Sequence, residues 1–186
     1  MNKKPKINFL SQGLELRTHG FTLIEILIVF GILAATATVI LSIIFVTLRV
    51  SKKSDLLLTI KQNGDNAMSQ MVKGVRYAKS LDSACSATNA PIKITSLTDN
   101  TQTTFTCTTG SSGTISSTIA ANTVSLIDTN TISVTNCSFT CFQATPSDPP
   151  TISIGFTLSS KNANSLVETT GTIPFQTSVT MRNFNN

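Results

Sequence analysis

The sequence predicts an α+β protein: a long N-terminal helix that carries a head built on a mostly antiparallel β-sheet. Three observations carry that expectation. From Phe21 to Leu48 the chain is almost wholly apolar, with Glu25 its only ionisable side chain. Beyond it, apolar residues recur at three- and four-residue steps to about Leu81, the period of one helix face. From about Cys85 the period changes to two, as on strands with one buried face.

Length and composition frame these elements. A chain of 186 residues suits one modest domain plus an extended segment. Charged residues make up 12%, and Ser, Thr and Asn crowd the second half, a surface suited to an extracytoplasmic β-rich domain. The expected organisation is an N-terminal segment at 1–20, a transmembrane helix at 21–50, a stalk helix at 51–82 and a β-rich head at 83–186. The formal charge of +5 is unevenly spread: residues 1–20 and 49–79 are basic, whereas residues from 83 onward carry one more acid than base. A head of that charge has no phosphate-binding patch, and no nucleic-acid partner is expected.

The segment before the apolar run, which ends KKPKINFLSQGLELRTHG, is not itself apolar and is not expected to enter the membrane. Its single His19 has no partner ligands and is read as a bystander. The apolar run then covers roughly 42 Å as a helix, more than the ~20 residues a bilayer crossing requires. It exceeds the core of a secretory signal, no A-x-A-like site follows it, and the rest of the chain is too polar to envelop it. It must therefore meet lipid or equally apolar protein. Within such a segment a carboxylate costs on the order of 2.5 to 3.5 kcal/mol at mid-depth, less near the helix start, and is usually functional.

The string GFTLIEILIVFGILA, beginning at Gly20, resembles the prepilin cleavage and methylation signature of type IV pilins and type II secretion pseudopilins. The likeness is sharp over residues 17–50 and architectural beyond. It implies that residues 1–20 are a cytoplasmic leader removed by a prepilin peptidase between Gly20 and Phe21, that Phe21 is then N-methylated, and that the helix at 21–50 serves subunit assembly through Glu25, the fifth residue of the processed chain. It also implies a pilin-like fold, other pilin or pseudopilin subunits and an inner-membrane assembly platform as partners, and a bacterial cytoplasmic membrane location with the head extracytoplasmic. Cleavage would create an α-amino cation at the tip of an apolar helix, costly to bury alone. Residues 21 and 25 lie one turn apart, so Glu25 suits that cation, its own or a neighbour's. Arg49, Lys52 and Lys53 flank the run on one side and Arg17 on the other, so charge alone does not orient it.

Leu57, Ile60, Met68, Met71, Val75 and Ala78 form the expected stalk stripe, which Gly64 and Gly74 weaken by up to about 1 kcal/mol each. An unbroken helix to Leu81 would be roughly 90 Å long; a break near Ser51–Asp55 is the alternative. In the head, Ile152 to Leu158 and Ile173 to Met181 alternate most clearly, with weaker strands at Ile92–Leu97, Thr103–Cys107, Thr123–Leu126 and Ile132–Phe142. Turns are expected at TDNT, GSSG and PSDPP.

Cys85, Cys107, Cys137 and Cys141 all fall in the head, and an even number in an exported domain favours disulfides. Three pairings are open. In a strand, residues 137 and 141 lie roughly 13 Å apart at about 3.3 Å per residue, too far for a bridge without a turn. Cys137, Phe139 and Cys141 share a strand face, as do Phe105 and Cys107, which favours cross-strand bonds to Cys107 and Cys85. The C-x3-C spacing is poor for zinc, no phosphate loop or catalytic constellation appears, and no cofactor or enzymatic activity is expected. No proline lies between Phe21 and Ala90, whereas many major pilins have one partway along the membrane segment, and the strand-rich head with its ending FQTSVTMRN resembles the larger minor pseudopilins of the J type. The expected function is a minor pilin or pseudopilin; a single-span surface binding protein that never polymerises is the second class.

Overall fold

The computed structural model describes residues 20–83, 85, 90–145, 147–161 and 169–184. The expected leader lies outside them except for Gly20. The chain divides into two compact units, residues 1–45 and 46–186. One helix, α1 (Leu23–Arg76), has residues in both.

Its first half, from Leu23 to Phe45, has every side chain exposed. α1 starts where the side chain of Thr22 accepts a hydrogen bond from the Glu25 amide at 3.3 Å, while the Thr22 carbonyl accepts the first helical bond, from Ile26. Thr22 is thus the N-cap, and its hydroxyl satisfies one of the amides that every helix start leaves without a partner.

In the second unit α1 continues without a break through Ser51–Asp55 and buries Ile60, Gly64, Ala67, Met71 and Val75 along one stripe. Two expected stripe members, Leu57 and Met68, are half-buried. The helix stops at Arg76, short of the expected boundary at 82. Residues 78–81 instead form β1 (Ala78–Leu81), which pairs with β2 (Ile92–Ser96). Strand pairing there satisfies backbone groups that a last helical turn would leave open. Ala78 is therefore buried from a strand, not from the helix. The Arg76 carbonyl at the helix end accepts the Arg182 amide at 3.0 Å, and Lys73 and Arg76 complement the negative end of the helix dipole.

The head has two antiparallel sheets where one was expected. The first runs β1-β2-β3-β4-β5, with β3 Gln102–Cys107, β4 Ile115–Ile119 and β5 Asn122–Ser125. The second runs β6-β7-β8, with β6 Ile132–Phe142, β7 Thr151–Ser160 and β8 Thr172–Thr180. β4 has no counterpart among the expected strands, because ISSTI presents only two apolar residues. Its backbone pairs with β3 from Ile119↔Thr103 to Ile115↔Cys107 and places Ile115 against the core.

Register fixes what faces inward. Opposite residues share a face, so Ile94, Phe105 and Ile115 line the inner side of the first sheet. On β6 the pairing slips between Val134 and Asn136: Val134 meets Leu158, but Asn136 meets Thr157. This bulge lets Ile132 and Val134 on one side of it, and Cys137, Phe139 and Cys141 on the other, keep the same inward face. Together with Ile152, Ile154, Phe156 and Leu158 of β7 and the stripe of α1, these residues form one core. Complete burial of side chains this size stabilises by about 1.5–3 kcal/mol each.

Two of the three glycines of α1, Gly64 and Gly74, have partners. The Phe175 ring of β8 lies where a side chain at Gly64 would be, and the Phe105 ring lies 3.0 Å from the Cβ position of Gly74. Their propensity cost is thus offset by aromatic rings seated against the helix backbone.

Candidate functional site: the exposed apolar helix and the stapled head

Every side chain from Gly20 to Lys52 is exposed, including Phe21 at 75%. A contiguous apolar surface of this size is not left in water by a folded protein. The segment is long and apolar enough to cross a membrane. Its internal hydroxyls need no outside partner: Thr36, Thr38 and Ser42 donate to the carbonyls of Leu33, Ala35 and Thr38 at 3.0, 2.8 and 2.7 Å. Self-bonding lowers the penalty of placing these groups in an apolar medium.

Glu25 is left as the one ionisable group of the run, and among the described residues no side chain meets its carboxylate. Thr22, Leu23, Ile24 and Glu25 form a Thr-x-x-Glu sequence, with the N-cap hydroxyl bonded to the residue-25 amide. This capping arrangement gives Glu25 a local role at the positive end of the helix. Thr22 was missed as a contributor, although the Thr-x-x-Glu spacing before an apolar run signals it.

Gly20 and Phe21 precede the helix. A Cβ built on Gly20 meets nothing within 4 Å, and its φ is outside the left-handed region. Among the described residues, neither backbone conformation nor packing explains a glycine there.

The four cysteines form two disulfides, Cys85–Cys141 and Cys107–Cys137, with Cα separations of 4.9 and 6.4 Å. Both end on the inner face of β6, so one edge strand is stapled at its middle and near its C-terminal end. Cys107 belongs to β3, and its bridge ties the two sheets together. Such bridges fit an oxidising compartment. No cluster of three metal-ligating side chains occurs among the described residues.

The acids of the head are used locally. Asp82 accepts hydrogen bonds from Ser80 at 3.0 Å, Thr95 at 2.7 Å and Gln102 at 3.0 Å, linking β2 and β3 just past the end of β1. Partial desolvation pushes its pKa up, but these bonds and the nearby Lys93 outweigh it and hold the group below the ordinary aspartate range. Asp99 is lowered by Ser96 and Thr101, and Asp128 by Thr131 and the Asn130 amide. Asp128 also connects back to α1, since its amide donates to the Asn63 side chain at 2.9 Å.

The chain is thus an α+β protein with one exposed apolar helix at its N-terminal side and a doubly stapled antiparallel head. No protein-family model, curated protein or solved structure matches it.

Proposed function

We propose that the chain is a structural filament subunit of the pilin or pseudopilin kind, inserted as a single-pass prepilin in a bacterial cytoplasmic membrane. Its head then lies outside, and cleavage after Gly20 by a prepilin peptidase frees Phe21 for N-methylation. An assembly platform packs the helix against those of other subunits. The observation that carries this reading is Glu25, a lone carboxylate at the start of the wholly exposed apolar part of α1. A buried ion without a partner is penalised by several kcal/mol, and the α-amino cation produced by cleavage is a fitting partner. Pairing with a neighbour's amine would set the axial register while apolar side chains supply adhesion. The disulfides agree with an exported head, and Gly20 has no conformational reason of its own.

One observation favours the second reading, a single-span anchored surface protein: Glu25 also completes a helix-capping sequence with Thr22. Glutamine caps at this position as glutamate does but carries no charge. Glu25→Gln therefore separates the roles. The filament reading expects a mature N-terminus of N-methyl-Phe21 by mass spectrometry, normal membrane insertion of the variant and loss of its recovery in sheared filaments. An intact leader, or recovery equal to wild type, would support the anchor.

A further inference from the structure

The outer face of the β6-β7-β8 sheet holds a groove of about 250 Å³ whose floor is Gly155. Register places Ser138 of β6 and Gln176 of β8 on either side of that glycine, with Asn136 and Thr140 one step along β6 in each direction. Ser153 and Ser178 hydrogen-bond each other at 2.7 Å beside it. The side chains of Asn136, Ser138, Thr140 and Gln176 make no hydrogen bond among the described residues, and no charged side chain lines the groove. Phe142, 71% exposed, stands two residues beyond Thr140 on the same face.

Gly155 is not required by the fold. A Cβ there would find its nearest neighbours, the Ser138 and Phe175 carbonyls, at 3.7 and 3.9 Å, which is ordinary contact. Glycine weakens a strand interior and often marks close approach of a ligand to the backbone. From the structure we infer that this groove is a binding site for a neutral oligosaccharide. Two carboxamides and two hydroxyls each donate and accept, matching uncharged sugar hydroxyls, and the lining supplies no cation to pair with an anionic ligand. Phe142 supplies an apolar surface for a ring face at the groove's end. The row from Asn136 to Phe142 spans about 20 Å at about 3.3 Å per residue, the scale of an extended chain and not of one sugar. The bulge at Val134/Asn136 is what turns Asn136 outward to begin that row.

The test uses the full chain in a detergent without a sugar headgroup, titrated with maltotriose, cellotriose and triacetylchitotriose by calorimetry and saturation-transfer NMR. At least one of these binds saturably, and Gly155→Thr, which fills the floor, and Gln176→Ala, on an exposed edge strand, each weaken it about tenfold with the thermal midpoint preserved. If Gly155→Thr misfolds, Gln176→Ala decides alone. No saturable binding of any of the three, affinity unchanged by Gln176→Ala, or self-association through this face in place of sugar uptake would overturn the inference.

Discussion

The ring of Phe175 occupies the place a side chain at Gly64 would take, and it is held there by stacking on Phe156 with centroids 5.2 Å apart. Gly64→Ala gains about 1 kcal/mol of helix propensity. Against that gain, the added methyl must displace a ring seated between α1 and β7, and overpacking of this kind costs about 1–3 kcal/mol. The expected outcome is a net loss near 1 kcal/mol, seen as a lowered thermal midpoint of the second unit. Combining the change with Phe175→Leu should recover much of it, because the two sites are in contact and not additive. A Gly64→Ala protein more stable than wild type would show that the ring is free to move aside.

Removing either disulfide should cost about 2–4 kcal/mol, as for loops of this size. The bridges close sequence separations of 56 and 30 residues, the shorter inside the longer, so each limits the loop left for the other. Loss of both is therefore expected to cost more than the two single losses added together if unfolded-chain entropy dominates. Cys107→Ser/Cys137→Ser should also loosen the two sheets from each other, visible as faster amide exchange in β3 and the middle of β6. Unreduced peptide mapping should return the 85–141 and 107–137 pairs and no 137–141 pair, since both of the latter residues lie in one continuous strand.

Sequence period was sufficient where burial was regular. β7 alternates without interruption, and its stretch from Ile152 to Leu158 could be assigned to a strand from Ile152, Ile154, Phe156 and Leu158 alone. The inward phase of Cys137, Phe139 and Cys141 was readable for the same reason. What escaped was everything decided by a partner. β1 and β4 are short and largely Ser, Thr, Ala and Lys, so their strand character comes from pairing with β2 and β3. The bulge that reconciles Val134 with Cys137 leaves no periodic trace. Gly64 and Gly74 read as helix defects because the rings that need them lie more than thirty residues away in sequence. At the helix start the signal is local: Thr-x-x-Glu places the Thr22 hydroxyl within reach of the Glu25 amide without any distant partner.

Asp82 makes stability depend on pH in a stated direction. Its carboxylate is held below its unfolded-state value by Ser80, Thr95 and Gln102, so the folded state favours the ionised form. Such a group contributes stability fully above the unfolded pKa of about 3.9, and the contribution disappears as pH falls through the lower folded value. Asp99 and Asp128 are shifted in the same sense. The head should therefore hold a flat midpoint from neutral pH to about pH 5 and lose stability below about pH 4. Asp82→Asn should shallow that acid slope and lower the neutral midpoint slightly, because an amide cannot accept all three bonds at full strength. Equal acid slopes for variant and wild type would assign the loss to other groups.

Gly20 allows processing to be tested apart from folding. Since a Cβ at this position meets nothing within 4 Å and the backbone is not left-handed, Gly20→Val should not strain the described residues. Insertion and the thermal midpoint of the head are expected to match wild type. If a peptidase reads this glycine, the variant should instead remain uncut and run about 2 kDa heavier, the share of twenty residues in a 19.8 kDa chain of 186. Its apolar helix would still reach the membrane, but without the new α-amino group Glu25 would lack the cation proposed to pair with it. The variant should therefore be absent from filaments even where its amount in the membrane equals wild type. Equal migration of the two proteins on a gel would remove cleavage from the account of this glycine, and filament incorporation of an uncut chain would separate assembly from the charge pair.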